Sequence, residues 1–332
     1  MYAVEATAVS RRFGRRVAVD NLTLQISPGE IVGFLGLNGA GKTTTLRMLA
    51  GQLHPDEGTV RVFEYDTQAR GFAAHGLVGV LPEDAAIRVT ATAWENLLRA
   101  AESRYVRPEE ALRRGRELFA LLGLDDRADE PVRGFSKGMK RRLGIAMSVI
   151  NYPLLLVLDE PTSGLDVESV AVIRDVVREL NRRGVTILMT THAIEEANGL
   201  CDRVAILDRG RLAACDTPAR LKASVPHDEP SLLVTFLPDA PNVADEIRRL
   251  PAVTAVSGDG GRYRVDYTDL PGVLEALAAY SRRTSRTIAA LQMSAPSLEE
   301  VFFHVTGSDL RSRPAASVRW TDPAMIDNEG GA

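Results

Sequence analysis

Two hydrophobic patterns alternate along most of the chain. Short continuous apolar runs are typical of parallel strands buried on both faces, and apolar residues at helical spacing are typical of amphipathic helices. The runs predict strands at 30–35, 154–158 and 185–190, and the helical spacing predicts helices at 42–50 and 167–181. Strands that alternate with helices in this way favour an α/β fold with a parallel sheet.

Other patterns surround this core. Short β elements closed by turns are predicted at 3–9, 17–19, 22–26 and 59–63, and a hairpin is predicted at 204–207 with 211–214. Helical spacing from 93 to 122, with Gly123 as a stop, predicts a helical insert over about 84–150. The sequence therefore predicts one domain over 1–225, with a β subdomain and a helical insert.

The pattern changes after a linker at 226–230. Strands are predicted at 232–236, 253–257, 262–267 and 288–292, and helices at 242–250 and 271–282. This β-α-β-β-α-β order predicts a small α+β domain of ferredoxin-like type over 226–308. Ser297 and Glu300 match a capping box that opens a last helix at 298–305. The polar, aperiodic residues 309–332 predict a disordered tail.

Composition narrows the function classes. The 332 residues are 45% hydrophobic and carry a net charge of −4, with both signs interspersed, so there is no electrostatic basis for nucleic-acid binding. No apolar run is long enough to span a bilayer, and the N-terminus lacks the apolar core of a secretory signal. Two cysteines, Cys201 and Cys215, are too few for a disulfide framework. We expect a protein of the cytoplasm.

Residues 36–44 have the GxxxxGK[ST] pattern of a phosphate-binding loop. They lie between a predicted strand and a predicted helix, where backbone N–H groups and the helix dipole favour phosphate. Lys42 can reach the β- and γ-phosphates, and the Thr43 hydroxyl can coordinate Mg²⁺. The candidate nucleotide-binding residues here are Gly36, Leu37, Asn38, Gly39, Ala40, Gly41, Lys42, Thr43 and Thr44. The pattern predicts binding of a nucleoside triphosphate.

Two carboxylates follow the strand predicted at 154–158. An open α/β sheet binds its ligand at the carboxyl ends of its strands, which is where Asp159 and Glu160 lie. Asp159 can hold Mg²⁺, and Glu160 can orient or deprotonate the water that attacks the γ-phosphate. These residues predict hydrolysis in addition to binding.

The segment 134–143 discriminates among proteins with this loop. Together with the loop and the two carboxylates it resembles the signature sequence of the ATP-binding-cassette (ABC) family, usually written LSGGQ. Phe135, Ser136 and Gly138 match that pattern in type, while Lys137 and Met139 replace a glycine and a glutamine. The resemblance implies that Ser136 and Gly138 face the γ-phosphate of ATP bound by the other protomer of a dimer.

Further positions match the same family. Residues 163–166, ending in Asp166, resemble the D-loop that lies across the dimer interface, and His192 resembles the switch histidine that contacts the γ-phosphate. Phe13 occupies the place of the aromatic residue that stacks on adenine, with packing in the core as the alternative. Glu83 stands where the family's Q-loop has glutamine. The resemblance implies that Glu83 contacts Mg²⁺ or water and also contacts the membrane-spanning subunit with which such ATPases work.

The resemblance covers about residues 1–222, and the C-terminal region looks like the accessory domain of drug and antibiotic exporter ATPases. It implies an ATP-hydrolysing subunit that binds ATP and Mg²⁺, forms a homodimer around two ATP molecules and drives a separate membrane-spanning permease. We then expect a peripheral protein at the cytoplasmic face of the membrane, with no nucleic-acid partner. The alternative is a soluble ABC ATPase that acts on ribosomes or DNA. The single cassette and the lack of a long coiled coil disfavour that alternative.

Overall fold

The computed structural model describes residues 1–69, 76–225, 230–238, 242–294 and 296–307. Most of the predicted linker and the whole of the predicted tail at 309–332 lie outside the described residues. Across the residues that the structure describes, no helix combines the length and the apolar character needed to cross a bilayer.

The described chain forms fourteen strands and ten α-helices. The strands are β1 (Val4–Phe13), β2 (Arg16–Ile26), β3 (Ile31–Leu35), β4 (Glu57–Val62), β5 (Tyr65–Asp66), β6 (Val78–Leu81), β7 (Leu155–Leu158), β8 (Thr186–Thr191), β9 (Arg203–Asp208), β10 (Arg211–Asp216), β11 (Ser231–Leu237), β12 (Val253–Asp259), β13 (Arg262–Tyr267) and β14 (Thr287–Ser294). The helices are α1 (Lys42–Leu49), α2 (Ala93–Glu102), α3 (Pro108–Leu122), α4 (Lys137–Val149), α5 (Val167–Arg182), α6 (Ile194–Leu200), α7 (Pro218–Ala223), α8 (Val243–Arg248), α9 (Leu270–Thr284) and α10 (Leu298–Thr306).

A six-stranded sheet in the order β10-β9-β3-β8-β7-β6 forms the centre of the first unit. Its strands run parallel except for β10, which pairs antiparallel with β9. Alternate residues of β7 enter two different apolar cores: Leu156 and Leu158 enter one, and Leu155 and Val157 enter the other. Burial on both faces explains the continuous apolar runs in the sequence, and the predicted α/β fold is confirmed.

The helical insert and the N-terminal β elements cover opposite faces of this sheet. Helices α2 to α5 contribute to the core that contains Leu156, and α1 with strands β1, β2 and β4 contributes to the core that contains Val157. Helix α3 ends at Gly123 in a left-handed conformation, as the sequence predicted. The N-terminal part of α4 lies at the C-terminal end of β7. Arg141 of α4 shows this placement, since it donates to backbone carbonyl oxygens just after that strand.

The N-terminal strands are longer than the sequence predicted. Strand β1 extends to Phe13, and β2 is one strand of eleven residues where two short ones were predicted. The two strands pair with register shifts near Val9, and Ala8 and Asn21 have positive φ angles of 50°. Such bulges interrupt the regular alternation of apolar and polar residues. The sequence pattern therefore predicted shorter and separate strands.

The C-terminal unit has the β-α-β-β-α-β order that the sequence predicted. Its four strands form an antiparallel sheet in the order β12-β13-β11-β14, with α8 and α9 over an apolar core of its own. Helix α10 follows this sheet in sequence, but its Leu298, Val301 and Phe302 belong to the core of the first unit. Its Glu300 also pairs with Arg264 of β13. Helix α10 therefore joins the two units, and the boundary predicted near 226 stays a prediction.

Candidate functional site

The loop at 36–44, called the phosphate loop below, joins β3 to α1 and requires glycine at two positions. Gly41 has a φ of 103°, and a Cβ atom there would lie 2.4 Å from the Ala18 carbonyl oxygen. A Cβ atom on Gly36 would lie 2.6 Å from the Leu207 carbonyl oxygen. The first N–H groups of α1 have no acceptor within the helix, so they are available to a phosphate.

Lys42, the first residue of α1, lies over the phosphate loop. Its Nζ donates to the Gly36 carbonyl oxygen at 2.8 Å and lies 3.9 Å from Oε1 of Glu160. Burial lowers the pKa of Lys42, and the nearby carboxylates of Glu160, Asp159 and Glu83 oppose that shift. A phosphate placed in the loop would take the ammonium group from the Gly36 carbonyl and would add a second anionic partner to this buried charge.

Asp159 lies at the C-terminal end of β7, directly beside the phosphate loop. Its buried Oδ1 accepts hydrogen bonds from the Thr43 hydroxyl at 3.2 Å and from the Thr190 hydroxyl at 2.7 Å. A hydroxyl and a carboxylate are hard oxygen ligands, and Mg²⁺ in phosphate sites takes only one or two protein ligands beside phosphate oxygens and water. The pair therefore fits a Mg²⁺ ion bound together with a nucleotide.

Glu160 directs its carboxylate toward the phosphate loop from a left-handed backbone conformation, with a φ of 48°. Its backbone N–H donates to the Thr190 hydroxyl at 2.9 Å. Its Oε2 lies 2.7 Å from Nδ1 of His192, and its side chain is only 14% exposed. Because a carboxylate can only accept, Nδ1 carries the hydrogen of this bond and the other ring nitrogen of His192 is left for a ligand.

Glu83 follows β6, the strand next to β7. The hydrogen bond that the structure gives it runs from Arg141 to its backbone carbonyl oxygen, at 2.8 Å, and its carboxylate acts on Lys42 through space. Within the described ranges, no cluster of three or more histidine, cysteine or acidic residues forms a ready-made metal site. The predicted contact of Glu83 with Mg²⁺ stays a prediction.

The signature residues form a second cluster at the N-termini of α4 and α5. Ser136 caps α4 and accepts a hydrogen bond from the Met139 N–H at 3.1 Å, and Asp166 caps α5 through the Ser169 N–H at 2.8 Å. A Cβ atom on Gly138 would lie 2.2 Å from the Ser169 Oγ, so only glycine lets the two helix ends approach this closely. Among the described residues, no hydrogen bond or ion pair joins Ser136 or Asp166 to the phosphate loop.

Phe13 ends β1, and half of its surface is exposed. The Arg11 guanidinium covers the ring at 5.1 Å from its centroid. Phe13 pairs across the hairpin with Arg16, which donates to the Gly39 carbonyl oxygen of the phosphate loop at 3.3 Å. The ring thus lies at the hairpin that touches the phosphate loop, where a base attached to bound phosphates could contact it.

Three residues that the sequence did not single out hold this site together. Thr190 bonds both Asp159 and the Glu160 backbone, and Arg141 donates to carbonyls around the same carboxylates. Glu196 of α6 accepts hydrogen bonds from the Thr162 and Thr191 hydroxyls and fixes the loop after Glu160 to the C-terminal end of β8. A hydroxyl at the end of a buried strand was the one available signal, for Thr190. Arg141 and Glu196 lie on helices, α4 and α6, and the sequence gave no signal for the contacts that they make.

Fold and site together define a class of protein. A parallel sheet with a phosphate loop after β3 and paired carboxylates after β7, two strands away in the same sheet, is the arrangement of a P-loop nucleoside triphosphatase.

Comparison with known proteins gives the family within that class. The family model described as ABC transporter matches residues 19–163. The chain is 36% identical over 317 residues to the "Nod factor export ATP-binding protein I" of Paraburkholderia xenovorans, covering 93% of this chain and 98% of that protein. It is also 36% identical to the "Daunorubicin/doxorubicin resistance ATP-binding protein DrrA" of Streptomyces peucetius, covering 95% of this chain and 96% of that one.

Solved structures agree with these matches. One described as the ATP-binding subunit of an ABC transporter is 28% identical, with a TM-score of 0.61, and covers 67% of this chain and 92% of its own. Another, a dimeric ATP-binding cassette in a post-hydrolysis state bound to ADP and Pi, is 25% identical, with a TM-score of 0.59 and coverage of 64% and 98%. The chain belongs to the ABC transporter family. It is an ATP-hydrolysing, ATP-binding subunit of such a transporter.

Proposed function

We propose that two copies of this chain close around two ATP molecules, each with Mg²⁺, and drive a separate membrane-spanning permease that exports a drug or antibiotic. Binding of ATP closes the dimer, and loss of the γ-phosphate contacts after hydrolysis reopens it. On this proposal the subunit works as a peripheral protein at the cytoplasmic face of the membrane, and nucleic acid is not a partner.

The observation that carries the proposal is the separation of the two half-sites within one chain. Lys42, Asp159 and Glu160 surround the phosphate loop, while Ser136 and Asp166 cap two helices whose N-termini contact each other instead of the loop. An exposed helix N-terminus with a serine cap favours an anion. A second copy, turned to face the first, supplies the missing half of each site. The dimeric ADP-bound and Pi-bound relative supports this arrangement.

Each residue of the first half-site then has a chemical role. Lys42 holds the β- and γ-phosphates, and Glu160 orients or deprotonates the attacking water, for which its position beside His192 suits it. His192 contacts the γ-phosphate through the nitrogen that does not bond Glu160. The Thr43 hydroxyl and the Asp159 carboxylate hold Mg²⁺, which neutralises charge on the phosphates. Glu83 couples the site to the membrane subunit, and contact with Mg²⁺ is the alternative role predicted for it. Phe13 stacks on adenine.

On this proposal, the membrane partner binds a groove on the helical insert. It encloses about 1060 Å³ and begins at Arg88, shortly after Glu83, between α2 and the start of α3. Tyr105 at its edge is 97% exposed. A permease segment bound there would touch the same loop that carries Glu83, which would connect transport to the nucleotide. The names of relatives that confer daunorubicin or linearmycin resistance support drug export.

Mixed dimers test the shared site. Lys42→Ala removes the phosphate lysine, and Ser136→Arg blocks the serine cap. A mixture of the two variants contains dimers in which one of the two composite sites is intact. We expect each variant alone to lack hydrolysis and the mixture to regain part of it, because the intact site draws its two halves from different chains. No regain, in a mixture where binding assays show heterodimers, contradicts the proposal.

Isolation from the native membrane tests the partner. The proposal expects the chain to co-purify with a multi-spanning membrane protein, and expects Tyr105→Glu in the groove to weaken that co-purification without loss of ATP hydrolysis. Co-sedimentation with ribosomes that RNase abolishes would favour the soluble alternative and overturn the proposal.

A further inference from the structure

Arg141 occupies an unusual environment in helix α4. The guanidinium is buried, with 9% of the residue exposed, and it has five N–H donors. All five donate to backbone carbonyl oxygens: those of Pro82, Glu83, Asp159, Glu160 and Pro161. The bonds to Pro82, Glu83 and Glu160 measure 2.7, 2.8 and 2.8 Å. One side chain therefore donates to five main-chain carbonyl oxygens in the segments that follow strands β6 and β7.

These acceptors belong to the two segments that carry the acidic residues of the site. Strands β6 and β7 are parallel neighbours, and their ladder ends with the Asp159 N–H donating to the Leu81 carbonyl oxygen at 2.9 Å. The ladder has no further pair beyond that point in the described residues, and the Arg141 side chain bonds both segments there. It therefore fixes the backbone of Glu160 just where that residue adopts its left-handed conformation.

The charge of Arg141 acts on the same site. Burial lowers the pKa of Arg141, and the carboxylates of Asp159, Glu83 and Glu160 oppose that shift. The hydrogen bonds of Arg141 run to neutral carbonyl oxygens. Its positive charge therefore forms no ion pair with a single carboxylate and acts through space on the acidic groups around it. A lysine at this position would keep the charge but could bond at most three acceptors, without the planar geometry of a guanidinium.

Helix α4 carries Arg141 and the serine cap on one rigid element. Ser136 caps the helix, and Arg141 follows five residues later, roughly 7.5 Å along the helix axis at 1.5 Å per residue. Hydrogen bonds tolerate only a few tenths of an ångström of change, so five bonds to one guanidinium oblige the strand ends to follow α4 when it shifts.

We propose that Arg141 is a positioning residue that ties helix α4 to the backbone of Asp159, Glu160 and Glu83, so that the helix that contacts one ATP also holds the hydrolytic carboxylate that acts on the other. The second half of this statement rests on the proposed function. The first half concerns one chain and stands on the five hydrogen bonds alone.

The test replaces Arg141 by lysine and uses Arg104→Lys as a matched control. Arg104 also clamps α4, through the Ser148 carbonyl oxygen at 2.8 Å and the Asn151 side chain at 3.0 Å, but at the other end of the helix. Burial lowers its pKa as well. For both variants we would measure ATP affinity by direct binding, kcat, and the temperature of thermal unfolding.

For Arg141→Lys we expect kcat to fall by about tenfold or more with ATP affinity within about threefold of wild type, because Lys42 and the phosphate loop are untouched. Arg104→Lys should leave kcat within about twofold at a similar loss of thermal stability. The proposal is overturned if Arg141→Lys retains wild-type kcat, or if the two variants lose kcat in step with their loss of thermal stability.

Mixed dimers show which chain Arg141 serves. One dimer pairs Glu160→Gln with Arg141→Lys, so that the only hydrolytic Glu160 has lost its own Arg141. The other pairs wild type with a chain that carries both substitutions. We expect the first to lose activity and the second to match the Glu160→Gln and wild-type mixture. Equal loss in both overturns positioning within the chain. If no mixed dimers form, the proposed dimer fails, while the comparison with Arg104→Lys still decides the first half.

Discussion

At the scale of single residues, the site depends on carboxylates whose surroundings differ. Glu160 is held between the His192 imidazole at 2.7 Å and the Lys42 ammonium at 3.9 Å, and its backbone is fixed by Thr190. Asp159, one residue earlier, instead bonds two hydroxyls. The two adjacent carboxylates therefore have different partners, which suits the separate roles proposed for them, Asp159 for Mg²⁺ and Glu160 for water.

The first prediction follows for Glu160. Glu160→Gln keeps the shape of the side chain and removes its ability to take a proton. We expect ATP affinity to be retained and turnover to fall by about 10²-fold or more. Single-turnover hydrolysis and direct nucleotide binding measure the two quantities separately. A variant that hydrolyses ATP at the wild-type rate would exclude Glu160 from the role proposed for it.

The second prediction concerns Glu83, where the chain departs from its family's pattern. If the loop mainly couples nucleotide binding to the membrane subunit, Glu83→Gln should leave basal hydrolysis within a few-fold of wild type. We expect superimposable Mg²⁺ titrations, because the carbonyl that Arg141 binds is unchanged by the substitution and because Thr43, Asp159, phosphate and water suffice for an octahedral shell. A curve displaced to higher Mg²⁺ would instead assign the Glu83 carboxylate to the metal.

At the scale of elements, helix α10 joins the two units of the chain. Phe302 is fully buried in the core of the first unit, whereas Phe303 on the same helix is 58% exposed. The side chain of Phe302 thus contributes to the packing of α10 onto the nucleotide-binding unit, although the helix follows the C-terminal sheet in sequence.

The third prediction compares these two phenylalanines. Phe302→Ala should lower the free energy of unfolding by about 3–5 kcal/mol, because it removes a buried ring and leaves a cavity. Phe303→Ala, the control, should cost less than about 1 kcal/mol, as expected of a surface substitution. Urea denaturation of both variants measures the difference. Equal losses would mean that α10 does not pack on the first unit as the structure has it.

At the scale of the whole molecule, the separation of the two half-sites makes the proposed dimer depend on nucleotide. ATP with Mg²⁺ would supply the charge and the hydrogen-bond acceptors that bring the serine cap of one chain to the phosphate loop of another. The same chain without nucleotide has no such bridge between copies.

The fourth prediction is therefore a dimer that forms only with ATP and persists only when hydrolysis is blocked. Glu160→Gln with ATP and Mg²⁺ should elute as a dimer in size-exclusion chromatography, and the same variant with Lys42→Ala added should elute as a monomer. Wild type should pass through the dimer transiently. A Glu160→Gln chain that stays monomeric at saturating ATP would contradict the proposed assembly.

The sequence by itself determined the features that depend on neighbouring residues. Strands β3, β7 and β8 were predicted to within one residue at each end, because burial on both faces leaves a continuous apolar run. The phosphate loop could be predicted because its geometry is local: the end of β3 and the start of α1 are close in sequence. The carboxylate pair could be predicted because it directly follows a buried strand. The element order of the C-terminal unit followed in the same way.

Only the tertiary structure decided the contacts between distant segments. Arg141 meets the carbonyl of Pro82, 59 positions away, and that of Glu160, 19 positions away, because α4 packs across the ends of β6 and β7. Helix α10 is a second such contact: it follows the C-terminal sheet in sequence but packs in the core of the first unit. Apolar periodicity gives the face that a helix buries but not the surface that receives it, since any apolar surface removes that face from water equally well.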